Sequence, residues 1–161
     1  MADPTARVLP SVLDRLLDPT TVADTPLSRG QQLAELRDSV RRDLEALLNA
    51  HRYARALPAG MPELERSVLQ YGIPDFLTIN AGAPEVREEF RRAVEESIRR
   101  YEPRFKTVSV ALIGTGDSED RTLRFRVEAL MYAEPAPEAV SFDSRLDPSS
   151  HSFSVVGQRN D

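Results

Sequence analysis

The sequence predicts an α+β fold in which N-terminal helices pack on a mostly antiparallel sheet formed by the C-terminal half. Two observations lead to this prediction. Apolar residues recur every three or four positions through the first hundred residues, as in amphipathic helices. After Tyr101 the period changes to two, which is typical of half-buried strands. With 161 residues and 40% hydrophobic content, one domain with a substantial core is expected.

Three regions are expected along the chain. Residues 1–25 hold a short amphipathic helix and a linker, residues 26–157 form a single α+β domain, and residues 158–161 form a disordered tail. The first helix begins near Ser11 and ends before Pro19. Its apolar residues are spaced by three and four: Val8, Leu9, Val12, Leu13, Leu16 and Leu17.

The segment "LSRGQQLAELRDSVRRDLEALLNAH" predicts a long amphipathic helix. Its apolar stripe comprises Leu33, Leu36, Val40, Leu44, Leu47 and Leu48. Asn49 is a plausible C-terminal stop. Pro62 opens a small predicted helix that runs through Leu69. "YGIPDF" is expected to be an ordered turn, because Gly72 permits unusual dihedral angles.

The segment "PEVREEFRRAVEESIRRY" predicts a second long helix that begins at Pro84. Its glutamates and arginines fall three and four residues apart, which predicts a solvated, salt-bridged face. Pro103 pushes Glu102 out of the α region, so the helix should end at about Tyr101. The apolar line comprises Val86, Phe90, Val94, Ile98 and Tyr101.

Alternating residues after this helix predict a hairpin of two long strands joined by the turn "GTGDSED". Two shorter strands are expected around Val140–Phe142 and Phe153–Val155. The alternating apolar residues of the hairpin are Val108, Val110 and Leu112, then Leu123, Phe125, Val127 and Ala129.

The composition disfavours several classes of function. There are no cysteines, which excludes disulfides and thiolate metal sites, and His51 and His151 have no partner at metal-ligand spacing. A net charge of −5 argues against nucleic acid as the main ligand. No nucleophile elbow or phosphate-binding loop is present, so no enzymatic activity and no cofactor are expected. The N-terminal residues lack the basic and apolar regions of a signal peptide, so none is expected. No apolar run approaches the roughly 20 residues needed to insert in a membrane, so the cytoplasm is expected.

Polar residues interrupt the apolar pattern at two places. Near the end of the long helix these are Arg42, Asp43, Glu45 and Asn49, and at the helix-to-strand corner they are Glu102 and Arg104. One hypothesis is that Arg104 or Glu102 pairs with a charge on the long helix, such as Glu45, and so fixes how the helices meet the sheet. The other is that the corner contacts a partner.

Four segments occur in order: "RDLEALLNAHR", "LQYGIPDF", "EPRF" and "VSFDSRLDPSSHSFSV". Together they resemble the TssE family of type VI secretion baseplate subunits, which is similar to the phage tail-lysozyme-like wedge proteins. The likeness runs from about Val8 to Val156. Ala50, His51 and Tyr101 depart from the usual family pattern. The residues carried over as partner or structural motifs are Arg42, Asp43, Glu45, Leu47, Leu48, Asn49, Glu102, Pro103, Arg104, Phe142 and Asp143.

The resemblance implies a cytoplasmic structural protein without enzymatic activity. It implies assembly with the wedge subunits TssF and TssG, and a strand platform for the first ring of contractile sheath, made of TssB and TssC. An unpaired strand edge would suit such a platform. The alternative hypothesis is a small regulatory adaptor that uses the same fold to bind a different protein.

Overall fold

The computed structural model describes residues 16, 28–52, 57–58, 60–65, 67–74, 83–113, 123–133, 136–147, 150 and 152–157. Its helices are α1 (Arg29–Asn49), α2 (Pro62–Glu65), a 3₁₀ helix (Val68–Gln70) and α3 (Pro84–Tyr101). Its strands are β1 (Phe105–Ile113), β2 (Leu123–Met131), β3 (Glu138–Asp147) and β4 (Ser152–Gly157). The predicted fold class is confirmed.

The four strands form one antiparallel sheet in the order β1-β2-β3-β4. One cross-strand row places Val110 beside Val127, then Phe142, then Gly157. β3 has 10 residues, so the prediction of a shorter strand around Val140–Phe142 is wrong. The sequence pattern did not show the full length of β3. The inward-facing position after Phe142 is occupied by the polar residue Ser144, which is 3% exposed, and this breaks the alternation of apolar residues.

Helix α1 begins at a capping box. The Ser28 hydroxyl accepts a hydrogen bond from the Gln31 backbone N–H, and the Gln31 side chain accepts one from the Ser28 N–H. The helix ends at Asn49, as predicted. Its stripe is buried along Leu36, Val40, Leu44, Leu47 and Leu48, whereas Leu33 at the first turn is only half-buried.

Helix α3 matches its prediction in extent. Pro84 occupies the first turn, and Glu102 follows the last turn with φ −112° and ψ 85°, outside the α region. Phe90, Val94 and Ile98 are buried against the sheet.

The core lies between the two long helices and one face of the sheet. α1 packs against the edge strand β4, and α3 packs against the opposite edge strand β1. Between them the Phe90 ring lies 6.0 Å from Phe125 and 6.1 Å from Phe153, measured between ring centroids. The other face of the sheet carries exposed residues such as Arg124, Arg145 and Val156.

The connection between the long helices passes very close to the end of α1. Gly72 has φ +99°, and a Cβ atom placed on it would lie 2.1 Å from the Ala50 carbonyl oxygen. The next residue, Ile73, donates from its N–H to that oxygen at 3.0 Å. The Gly72 carbonyl accepts a hydrogen bond of 2.8 Å from the buried Ser97 hydroxyl of α3. The predicted ordered turn is therefore confirmed for residues 71–74.

Several predictions fall outside the described residues. They are the N-terminal helix apart from Leu16, which is helical and exposed, the second half of "YGIPDF", the turn "GTGDSED", His151 and the tail 158–161. The small helix predicted from Pro62 to Leu69 is present as α2 and the 3₁₀ helix. Within the described ranges, no helix combines the length and apolarity that crossing a membrane requires.

Replacement of Gly72 by alanine is expected to lower the free energy of unfolding by more than about 2 kcal/mol, because the new methyl group meets the Ala50 backbone and φ is positive. Gly30→Ala is the matched control, since it lies in α1 with no atom within 4 Å of its added Cβ. It should raise stability by about 0.5 kcal/mol. Urea denaturation measures both, and a neutral Gly72→Ala would contradict the close approach.

Candidate functional site

The chain turns sharply between α3 and β1, and the side chain of Glu102 closes the turn. Glu102 is only 4% exposed. Its Oε1 accepts hydrogen bonds from the Arg104 backbone N–H at 3.1 Å and from Arg104 Nε at 2.6 Å. Pro103 is exposed between them. A buried carboxylate and a half-buried guanidinium are thus paired two residues apart.

The Arg104 guanidinium also reaches the long helix α1. Its Nη1 donates to the Ser39 hydroxyl at 3.1 Å, and its Nη2 donates to Asp43 Oδ2 at 2.5 Å. Arg104 therefore pairs inside the domain, with Asp43 as its acidic partner on α1 instead of the expected Glu45. Glu45 accepts a hydrogen bond of 2.8 Å from Arg41, one turn earlier on the same helix.

We call Ser39, Asp43, Glu102 and Arg104 the corner cluster. Its backbone is also bonded to the sheet. The Tyr132 N–H, just after β2, donates to the Arg104 carbonyl at 2.8 Å. The cluster thus holds α1, the end of α3, the start of β1 and the end of β2 in one arrangement.

Burial and the charges of the corner cluster shift the pKa of Arg104 and of the neighbouring Tyr71. Burial by itself lowers the pKa of Arg104, but the hydrogen bonds and charges of Glu102 and Asp43 outweigh burial and raise it above its usual value. The pKa of Tyr71 is raised by burial and then by the charges of Asp43 and Glu102. The guanidinium therefore stays charged, which the buried carboxylate requires.

The other predicted site residues make different contacts. Leu47, Leu48 and Phe142 belong to the core, and Arg42 is exposed. Asp143 lies on the outer face of the sheet and accepts a hydrogen bond of 2.8 Å from Arg126 on β2. The predicted residues therefore do not form one site.

Asn49 bonds to the edge strand β4 as another strand would. Its amide nitrogen donates to the Phe153 carbonyl at 3.0 Å, and its amide oxygen accepts from the Phe153 N–H at 2.8 Å. Arg41 Nη1 donates to the carbonyl of Val155 at 3.4 Å. Side chains of α1 therefore satisfy backbone groups that β4 would otherwise leave open.

The opposite edge is held by α3 in the same way. Arg91 Nη1 donates to the Val110 carbonyl at 3.1 Å, and Glu95 Oε2 accepts from the Val110 N–H at 3.2 Å. The side chains of Arg91 and Glu95 are 22% and 20% exposed, so the prediction of a solvated face is wrong for this pair. Sequence spacing showed the ion pair, but nothing in the sequence shows that it meets a strand edge.

Neither long helix brings metal ligands together. Among the described residues, no three His, Asp or Glu side chains form a group that could hold a metal ion. The arrangement provides rigid positioning of helices on a sheet, with side chains of the helices bonded to the backbone of both edge strands.

The sequence comparison identifies the family. A model of the family described as "Baseplate wedge protein gp25" matches residues 34–136. The chain belongs to this family. The matched segment contains the whole corner cluster and both strands of the first hairpin. The resemblance predicted from the sequence motifs is confirmed at the level of the family.

The curated relatives and the solved structure that match this chain carry different names. "Anti-adapter protein IraD" of Salmonella paratyphi A is 31% identical over 119 residues, covering 74% of this chain and 85% of the relative. The protein of the same name from Salmonella typhimurium is 30% identical over the same length. A chain of "The baseplate complex from the type VI secretion system" matches with a TM-score of 0.53 and 17% identity, covering 71% of this chain and 95% of that chain.

The wedge family and the baseplate neighbour together support a structural role in a baseplate. A family of structural components favours a role without enzymatic activity.

Arg104→Ala is expected to lower the free energy of unfolding by about 3 kcal/mol, because it leaves Glu102 buried without its cation. The double variant Glu102→Leu/Arg104→Ala should recover part of that loss. Arg99→Ala removes an arginine of α3 whose side chain is 62% exposed, and it should cost less than about 0.5 kcal/mol. Equal losses for Arg104→Ala and Arg99→Ala in thermal unfolding would contradict this role of the corner cluster.

Glu95 should make stability depend on pH. Burial by itself raises the pKa of Glu95, but the Val110 N–H and the guanidinium groups of Arg91 and Arg99 outweigh it and lower the pKa below 4.5. Its contribution is therefore present above about pH 4.5 and is lost as the pH falls through the lowered pKa.

Glu95→Gln should accordingly be about 1 kcal/mol less stable than the wild type at pH 7. The two proteins should converge as the pH falls below 4.5, the usual value of the Glu95 pKa. Glu89→Gln, at an exposed position of α3, should follow the wild-type curve throughout. Denaturation at a series of pH values provides the test, and a constant difference for Glu95→Gln would disprove the assignment.

Proposed function

We propose that the chain is a structural wedge component of a type VI secretion baseplate. The family match from α1 through β2 is the observation that carries the proposal. In this role the protein works in the cytoplasm, assembles with TssF and TssG, and supports the first sheath ring of TssB and TssC. The type VI baseplate neighbour provides a fold of the same kind.

The corner cluster suits a part that must keep its shape under load. Its charged hydrogen bonds are directional, so α1 cannot slide along the sheet without breaking them. Apolar packing alone would leave that movement less restricted, because it has no directional preference. In the proposal Asp43, Glu102 and Arg104 position the surfaces that partners contact.

The two edges of the sheet differ in which of their backbone groups could pair with an added strand. On the six-residue strand β4, α1 side chains bond to Phe153 and Val155. On the nine-residue strand β1, α3 side chains bond to Val110. Backbone groups of residues two positions away point in the same direction, so those of Leu112 also face outward from the sheet. Within the described residues no side chain bonds to the Leu112 backbone, so the part of β1 around Leu112 is the better-supported platform for a sheath strand.

A second candidate function is a regulatory protein that binds its target as a single chain. The relatives named anti-adapter proteins, at 30–31% identity over 119 residues, favour it. In that role the same fold would block an adapter by occupying its binding surface.

Co-expression with TssF and TssG distinguishes the two candidates. The tagged wild-type chain should co-purify with both subunits and elute with them in size-exclusion chromatography. The Arg99→Ala variant is the control, since the Arg99 side chain is 62% exposed and its ion pair is formed within α3. If the chain elutes alone while TssF and TssG remain associated with each other, the regulatory function is favoured and the wedge function is rejected.

A further inference from the structure

Three large apolar side chains are exposed together on the connection between the long helices. Met61 is 51% exposed, Val68 is 80% exposed and Leu69 is 37% exposed. Met61 immediately precedes α2, and Val68 and Leu69 lie in the 3₁₀ helix, within nine residues of sequence. We call these three residues the apolar tip. Large apolar side chains exposed close together in the sequence, on an ordered segment, are typical of a contact site for another protein.

The backbone beneath the apolar tip is tightly bonded. The Glu65 N–H donates to the Met61 carbonyl at 3.2 Å, and the Tyr71 N–H donates to the Val68 carbonyl at 3.0 Å. Between them the Ser67 hydroxyl donates to the Leu64 carbonyl at 2.7 Å. Such an ordered segment loses little further conformational entropy on binding, which favours affinity.

Side chains from the last turn of α3 hold the segment in place. Arg100 Nη1 donates to the Glu65 carbonyl at 3.2 Å, and the Tyr101 hydroxyl donates to the Ser67 carbonyl at 3.5 Å. The Tyr101 ring packs edge-on against Tyr71, with 5.2 Å between the centroids. Glu102 of the corner cluster follows directly. The apolar tip is thus attached to the same rigid corner.

The charges beside the apolar tip differ from those on α3. On α3, Glu88, Glu95 and Glu96 are each paired with an arginine. Within the described part of the chain, Glu63 and Glu65 of α2 are exposed and form no ion pair. The sequence from Met61 to Gln70 adds one cation, Arg66, so the segment remains acidic. A complementary surface would therefore be apolar at its centre and basic at its rim.

We propose that the apolar tip inserts into an apolar pocket with a basic rim on a neighbouring baseplate subunit. Val68, with the greatest exposure of the three, enters the pocket, and Glu63 and Glu65 face its rim. This inference rests on the proposed wedge function and adds the surface through which the chain is attached. In this proposal the corner cluster does not itself contact the partner, but it fixes the orientation of the apolar tip, which does.

Val68→Glu tests the proposal without disturbing the core, because the side chain is exposed. The matched control is Val156→Glu, which places the same charge at a valine that is 60% exposed on the outer sheet face. Both variants should keep the wild-type melting temperature. Binding of each purified variant to the co-expressed TssF–TssG complex is then measured by titration at low and high salt.

Val68→Glu should weaken binding by about tenfold or more, whereas Val156→Glu should bind like the wild type. Glu63→Lys/Glu65→Lys should weaken binding at low salt, and this loss should diminish at high salt. Wild-type affinity for Val68→Glu, or an equal loss for Val156→Glu, would overturn the docking site while leaving the wedge function standing. Failure of the wild type itself to bind would overturn both.

Discussion

The arrangement of the helices on the sheet depends on one guanidinium group, that of Arg104. Arg104 joins a carboxylate of its own turn to a carboxylate and a hydroxyl of α1, which lie more than 60 residues earlier in the chain. Glu102 is buried and would be costly without this cation, so the turn and the position of α1 are formed together. A cluster of this kind adds modest net stability but strongly restricts geometry, which matches what an assembly component requires.

Side chains of the two long helices bond to the backbone of both edge strands, although the two helices differ in sequence. An amide on α1 and an ion pair on α3 each bond to the N–H and the carbonyl of one edge residue, Phe153 and Val110. These side chains occupy the place where an unwanted strand would add.

The sequence was sufficient for the two long helices and for the two strands of the first hairpin, because a regular apolar period and Pro84 and Pro103 fix them locally. It was insufficient for β3, whose inward Ser144 breaks the alternation. It pointed to Glu102 and Arg104 but not to Asp43 as the partner, since Asp43 and Glu45 are both acidic residues near the end of α1 and only the folded structure shows which of them lies beside Arg104. The two hydrogen bonds between Asn49 and Phe153 likewise depend on where β4 lies in the folded protein.

The bond between Asn49 and Phe153 also sets an order of events during synthesis. The two residues are 104 positions apart, and the contact between Arg41 and Val155 spans 114. Long-range contacts such as these slow folding, because a large loop must close before they form. Helix α1 is therefore synthesised well before β4. Part of its apolar stripe has no packing partner until β4 is made and the core can close. A chaperone that binds during that interval would contact the leucines of α1 first.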